Sequence, residues 1–288
     1  MKNNKEFAVF IMVHGRPDKM WTYNTLRKAG YTGQIYLVAD DLDNTVGQYK
    51  EKYGDELIIF DKKKAAAKMD AGDNTGDLRS TLFSANTIFD LAKERDIKFF
   101  FIMCDDYTDF EYRHDEKLMY GGWIVKSLDK VFASLLEYYK SINAKSIAFA
   151  QSGDFMGGKN SQLARQLKMK RKAMNTFLCS TERPFTFVGR MNEDVTTYVN
   201  LGTKGDLFLT IPNISIYQKP TTKEKGGLTD LYLEYGTYIK SFFSVMYNPS
   251  CISISDLGYV NKRLHHRVSW NNAVPKILNE KHKINGTE

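Results

Sequence analysis

Phe7-Ala-Val-Phe-Ile-Met-Val13, followed at once by His14-Gly-Arg-Pro-Asp18, is the stretch that decides how this chain folds. The apolar run has the length of a strand, and the glycine and proline behind it break the pattern before a helical stretch from Lys19 to Ala29. Gln34-Ile-Tyr-Leu-Val-Ala39 repeats the theme and is closed by Asp40-Asp-Leu-Asp43. A polar helix then reaches about Tyr53, and Leu57-Ile-Ile-Phe60 forms a third strand. Strands apolar on both faces, alternating with helices, belong in a parallel sheet covered on both sides, with right-handed crossovers. The expected fold class is α/β: a Rossmann-type open, mostly parallel sheet flanked by helices.

Working outward, the polar segment Lys62 to Gly76 precedes Leu78, Leu82, Ala85, Phe89 and Ala92, which keep helical spacing, with Asp77 placed to cap that helix. The fourth strand, Lys98 to Met103, runs straight into Cys104-Asp-Asp-Tyr107. It therefore carries two carboxylates to the carboxyl end of a buried strand, the edge at which open α/β sheets bind ligands. Beyond it the pattern gives a helix over Val125–Tyr139, a strand over Ser146–Gln151 and a basic helical stretch over Ser161–Lys172. A short strand near Thr176–Cys179, a helix from about Glu193 to Leu201, a strand over Leu207–Ile211 and a helix around Gly236–Met246 follow. No repeat and no Pro-, Gly- or Ser-rich linker divides the chain. We therefore expect a single domain, with about residues 1–120 as a nucleotide-binding half and about 121–288 as an elaborated acceptor-side half.

Composition narrows the function classes. The 288 residues are 42% hydrophobic and 26% charged, which excludes disorder and leaves ample chain for a core. No apolar run has the length of a bilayer span, so a soluble, cytoplasmic protein is expected. The three cysteines, Cys104, Cys179 and Cys251, are far apart and in no CxxC spacing, which speaks against a disulfide framework or a zinc cage. The net charge of +7 attracts polyanions such as nucleic acid or nucleotide phosphates.

Five clusters and one lone arginine carry potential chemistry, each with a plainer alternative. Asp105 and Asp106 offer hard oxygen ligands for Mg²⁺ or Mn²⁺, or simply cap the next turn. Glu193-Asp194 opens a helix, where a carboxylate serves either as a general base or as an anion facing the helix dipole. Gln218 and Lys219, with Lys223, Lys225 and Gly226-Gly227, form a phosphate-closing loop or a solvated one. His265-His266 offers an imidazole to complete the coordination begun by Asp106, or packs at the surface. Arg165, Lys168, Lys170, Arg171 and Lys172 form a DNA-backbone strip or a solvated helix face. Arg16 meets a phosphate or a base, or else a neighbouring carboxylate such as Asp18.

The segments His14 to Asp18, Val38 to Asp43 and Cys104 to Thr108 together resemble GT-A-type glycosyltransferases. Asp105 to Arg113, Phe187 to Val195, Gln218 to Gly227 and His265 to Trp270 are more closely similar to the phage TET-associated glycosyltransferases, over about Phe7 to Leu278. The resemblance implies sugar transfer from a nucleotide sugar, a UDP-sugar for preference, to 5-hydroxymethylcytosine in phage DNA, protecting it from host nucleases. It implies a donor site of His14, Arg16, Asp40, Asp41, Arg79, Asp105, Gln218, Lys219, Lys223 and Lys225. It also implies a divalent metal held by Asp106 with Asp105, His265 or His266, and Asp194 as base with Glu193 second. Cys104 departs from the pattern, standing where an acidic residue is expected. The same donor half would serve a GT-A-like transferase with a non-DNA acceptor, and the fold alone would serve a non-catalytic DNA-binding relative.

Overall fold

The computed structural model describes residues 1–219, 228–236, 238–257 and 263–275. Its centre is one nine-stranded sheet, accompanied by a separate two-stranded hairpin. The strands are β1 (Phe7–Met12), β2 (Gln34–Asp40), β3 (Leu57–Phe60), β4 (Phe99–Cys104), β5 (Tyr107–His114), β6 (Tyr120–Ile124), β7 (Ser146–Gln151), β8 (Thr176–Ser180) and β9 (Phe208–Gln218). They lie in the order β3-β2-β1-β4-β8-β7-β9-β5-β6. From the pairings, β3, β2, β1, β4, β7, β9 and β6 run one way, and β8 and β5 run against them. This is the open, mostly parallel sheet read from the sequence. The hairpin joins β10 (Ile252–Leu257) to β11 (Arg263–Val268).

The double-sided apolar character of the parallel strands is satisfied by a core on each face. Phe7, Val9 and Ile11 of β1 and Phe101 and Met103 of β4 pack under α1 (Trp21–Lys28), α2 (Val46–Tyr53) and α5 (Leu128–Ser141). The alternate residues, Ala8, Phe10, Phe100 and Ile102, join α4 (Leu82–Glu94) and α7 (Glu193–Gly202) on the other face. At the middle of the first core, Phe101 meets Phe132 of α5 at 4.7 Å between centroids and stacks on Phe149 of β7 at 5.5 Å. One aromatic cluster therefore ties the amino-terminal half of the sheet to the later strands. Short helices α3 (Lys62–Ala66), α6 (Gln162–Gln166), α8 (Thr229–Tyr235) and α9 (Ile239–Tyr247) complete the chain.

The structure corrects several sequence expectations. α4 begins at Leu82, not near Leu78, and Asp77 does not cap it: its carboxylate is taken by the Arg79 N–H at 2.8 Å and by the Arg79 guanidinium. The basic helix over Ser161–Lys172 stops at Gln166, because Leu167 turns left-handed at φ 47°, and the lysines beyond it leave the helix. There Lys170 C=O accepts the Thr210 N–H of β9 at 2.9 Å. β9 extends to Gln218 rather than ending at Ile211. The extra residues around Pro212, which has no N–H for the ladder, bulge out between the Phe149–Ile211 and Ala150–Ser215 pairs. The hairpin of β5 and β6 and the helix α8 were not anticipated.

Candidate active site

Because so many strands point one way, their carboxyl ends meet at a single edge. Along it stand Asp40 at the end of β2, His14 and Arg16 after β1, Cys104 at the end of β4 with Asp105 and Asp106 behind it, Asn175 just before β8, Gln151 at the end of β7, and Gln218 at the end of β9 with Lys219 behind it. The nucleotide-side residues hold each other tightly. Asp40 accepts from His14 Nδ1 at 3.0 Å and from Lys62 Nζ at 3.0 Å, while Asp41 accepts the Lys62 N–H at 2.9 Å. Burial alone would raise the Asp40 carboxyl, but the bonds from His14 and Lys62 and the lysine charge carry it below its usual value. Gly15 N–H donates to Asp43 at 2.8 Å, fixing the loop that delivers Arg16.

Arg16 Nη2 donates to Asp105 Oδ1 at 2.6 Å, so its carboxylate partner is Asp105, and Asp18 pairs with Lys52 instead. Asp105 Oδ2 and Asp106 Oδ1 are buried and have no hydrogen-bond partner among the described residues. Burial lifts both acids, Asp105 to about 7 in spite of Arg16 and with Asp106 adding to the rise. Two carboxylates with unmet oxygens fit a divalent cation, since Mg²⁺ is typically held by one or two carboxylates and completed by substrate phosphates. The histidines do not join them. Among the described residues no three His, Cys, Asp or Glu side chains gather to hold a metal, and His266 Nδ1 already accepts from Asn192 Nδ2 at 3.0 Å. Burial, with His265, Lys240 and Lys172 nearby, holds His266 down to about 3, so it is neutral.

Lys219 reaches the acidic tip through its backbone, donating N–H to Asp106 C=O at 3.1 Å, and its ammonium lies 4.4 Å from the Trp21 ring centroid. Gln218 Oε1 accepts from Asn175 Nδ2 at 2.6 Å. Arg79 binds Asp77 and Glu234 of α8 at 2.6 and 2.7 Å and is thereby committed to protein partners. Lys223 and Lys225 lie outside the described residues.

A cavity of about 1010 Å³ opens beside this edge. Cys104, Gln151, Gln218, Glu193, Asp194, His265, His266, Lys168, Lys170, Arg171, Lys172 and Trp270 all line it, so it gathers the acid pair, the histidines and the basic strip that the sequence scatters. Arg165 is not on its wall and instead reaches Asn160 Oδ1 at 3.2 Å. Lys170 and Lys172 both bind the buried Asp154, at 3.1 and 2.5 Å. Arg171 donates to the Trp270 C=O at 2.8 Å and lies over the indole, clasping the hairpin to the strip.

Glu193 and Asp194 occupy the first turn of α7, where the helix dipole favours anions. Asp194 Oδ1 accepts the Val195 N–H at 2.7 Å, and Glu193 accepts from the Thr81 hydroxyl. Removal from water raises both carboxyls above their usual values, and Asp194 pushes Glu193 further. The preceding turn is locked by Arg190, whose guanidinium binds Asp73 at 2.7 and 2.9 Å; that contact brings Asp73 down to about 2. Sequence reading missed Thr81, Asp73, Asp154 and Gln151. Asp73 stands in Ala71-Gly-Asp-Asn74, a turn-like string whose only signal was composition, and its partner lies 117 positions away.

A family model described as TET-Associated Glycosyltransferase matches residues 7–227. No curated protein matches. Among solved structures, a cytidylyltransferase from Leptospira borgpetersenii aligns at 12% identity, covering 83% of this chain and 86% of its own, with a TM-score of 0.42. Glucosyl-3-phosphoglycerate synthase from Mycobacterium tuberculosis, solved with Mn²⁺, UDP-glucose and phosphoglyceric acid, aligns at 9% identity over 88% and 85%, also with a TM-score of 0.42. The family match runs from the first strand past the acidic tip and the start of α7 to the segment after Lys219, and so takes in most of the chain: the protein belongs to the TET-associated glycosyltransferases.

Proposed function

We propose that this glycosyltransferase moves a sugar from a UDP-sugar to the hydroxymethyl group of 5-hydroxymethylcytosine in DNA, the residues to about 120 serving the donor and the remainder the acceptor. One cavity carries this reading: a carboxylate pair and a lysine-rich wall face the same space of about 1010 Å³, at the upper end of the size range for small-molecule sites. A lysine wall suits a phosphate backbone, and an enclosed carboxylate suits a neutral hydroxyl that must lose its proton. A base inside a duplex has to leave the stack, or be presented single-stranded, to enter such a space.

In this mechanism Asp194, seconded by Glu193, takes the proton from the hydroxymethyl oxygen as it attacks the anomeric carbon. Burial of the pair raises its basicity toward neutral pH, where an effective general base works. Arg16 orients Asp105, and Lys219 brings a positive charge near the leaving diphosphate. A Mg²⁺ or Mn²⁺ ion held by Asp106 and Asp105 would neutralise charge on that diphosphate. The test is to incubate the protein with hydroxymethylated and unmodified DNA, a panel of nucleotide sugars and either metal, and to weigh the digested nucleosides. A sugar increment on hydroxymethylcytosine alone supports the proposal, and no increment with any donor rejects it.

A further inference from the structure

Gln151 ends β7 and stands in the cavity wall, where its amide has been left half-used. Its side-chain oxygen accepts the Asp154 N–H while its own N–H donates to Asp154 Oδ2 at 3.0 Å, a reciprocal pair that fixes which way the amide points. Nε2 is buried and has no hydrogen-bond partner among the described residues. An unmet buried donor is costly, so an acceptor atom entering the cavity recovers a bond that solvent does not supply. In the sheet, β8 separates β7 from β4, so Gln151 lies two strand spacings, on the order of 10 Å, from the acidic tip, on the side of the basic strip. Asp154, which orients the amide, also holds Lys170 and Lys172, so base-facing and backbone-facing groups share one anchor.

We propose that Gln151 is a specificity residue whose Nε2 donates to the acceptor edge of the extruded pyrimidine, its O2 or N3. This rests on the reading of the cavity as the acceptor side of a DNA glycosyltransferase. A sugar hydroxyl of the donor is the other group able to accept this bond, and the experiment separates the two.

Gln151→Glu keeps an oxygen to cap the Asp154 turn and replaces the donor by an acceptor, and Gln151→Met, which removes the donor without adding a charge beside Asp154, is measured alongside it. Binding of a single-stranded oligonucleotide carrying one 5-hydroxymethylcytosine is compared with binding of the same strand carrying an abasic site. The native chain should prefer the base, and both variants should lose that preference by roughly 10- to 100-fold, with no parallel loss of UDP-sugar hydrolysis in the absence of DNA. In the native protein the Gln151 side-chain amide proton should shift on adding the hydroxymethylated strand and not the abasic one. An undiminished preference in either variant, or an amide that does not shift, overturns the inference. So does a parallel loss of UDP-sugar hydrolysis, which would assign the bond to the donor sugar. A native protein that transfers sugar but ignores the base sinks this inference alone, whereas failure of all transfer sinks the functional reading.

Discussion

Glu193 and Asp194 are adjacent, half-buried carboxylates at the start of one helix, and that environment sets their chemistry. Asp194→Asn keeps shape and removes basicity, so kcat should fall by about 10²–10⁴-fold with no loss of thermal stability. Full activity in this variant would take the role away from Asp194. Glu193 gives a prediction of the opposite kind, for stability. Its folded-state pKa stands above the ordinary 4.5, so between the two values the folded chain holds a proton that the unfolded chain has released. Its contribution to stability is therefore fully present below 4.5 and is lost as pH rises through the folded value. Glu193→Gln should raise the melting temperature relative to the parent by an amount that grows from about pH 4 to about pH 8. A constant difference across that range would show that burial does not strain this acid.

At the level of elements, the turn before α7 depends on one guanidinium. Arg190 is buried and binds Asp73, while Ser80 and Thr81 tie the same turn to the start of α4. Arg190→Ala strands that acid and should cost about 3 kcal/mol, read from denaturant midpoints. Because Asp73 is held near 2, below the ordinary 3.8, the contact stabilises fully above 3.8 and is lost as pH falls toward 2. The parent and Arg190→Ala should converge in stability over that acid window. Such a lock is where sequence reading stops. The first four strands were legible because each is an unbroken apolar run, Asp105 and Asp106 because they sit where such a run ends, and Glu193 and Asp194 because they open a helical stretch. The basic strip was read as helix because nothing in its residues announces the left-handed Leu167, and β5 was missed because Thr108, Asp109, Glu111, Arg113 and His114 make it polar in sequence although the last two are buried. Asp154 and Gln151 acquire meaning only from partners that the fold supplies.

For the whole molecule, the proposed DNA acceptor makes the arrangement of charge testable. Affinity should fall linearly on a log–log plot against salt, with a slope near −0.9 per phosphate contacted on duplex DNA. Replacing Lys168, Lys170 and Lys172 by alanine should flatten it by about 0.9 for each lost contact, whereas Arg165→Ala, off the cavity wall, should leave it unchanged. Equal effects from both sets would mean the strip is merely part of a diffuse positive field. The strand order carries one more consequence. β4 ends at Cys104 and β5 begins at Tyr107, yet β8, β7 and β9 lie between them in the sheet. Three residue steps reach at most about 11 Å, whereas four strand spacings in a flat sheet come to about 19 Å. Asp105 and Asp106 thus act as a drawstring: they cinch the sheet into a bowl, and lengthening the cord by even a few glycines should let the rim slacken and part the two sides of the bowl.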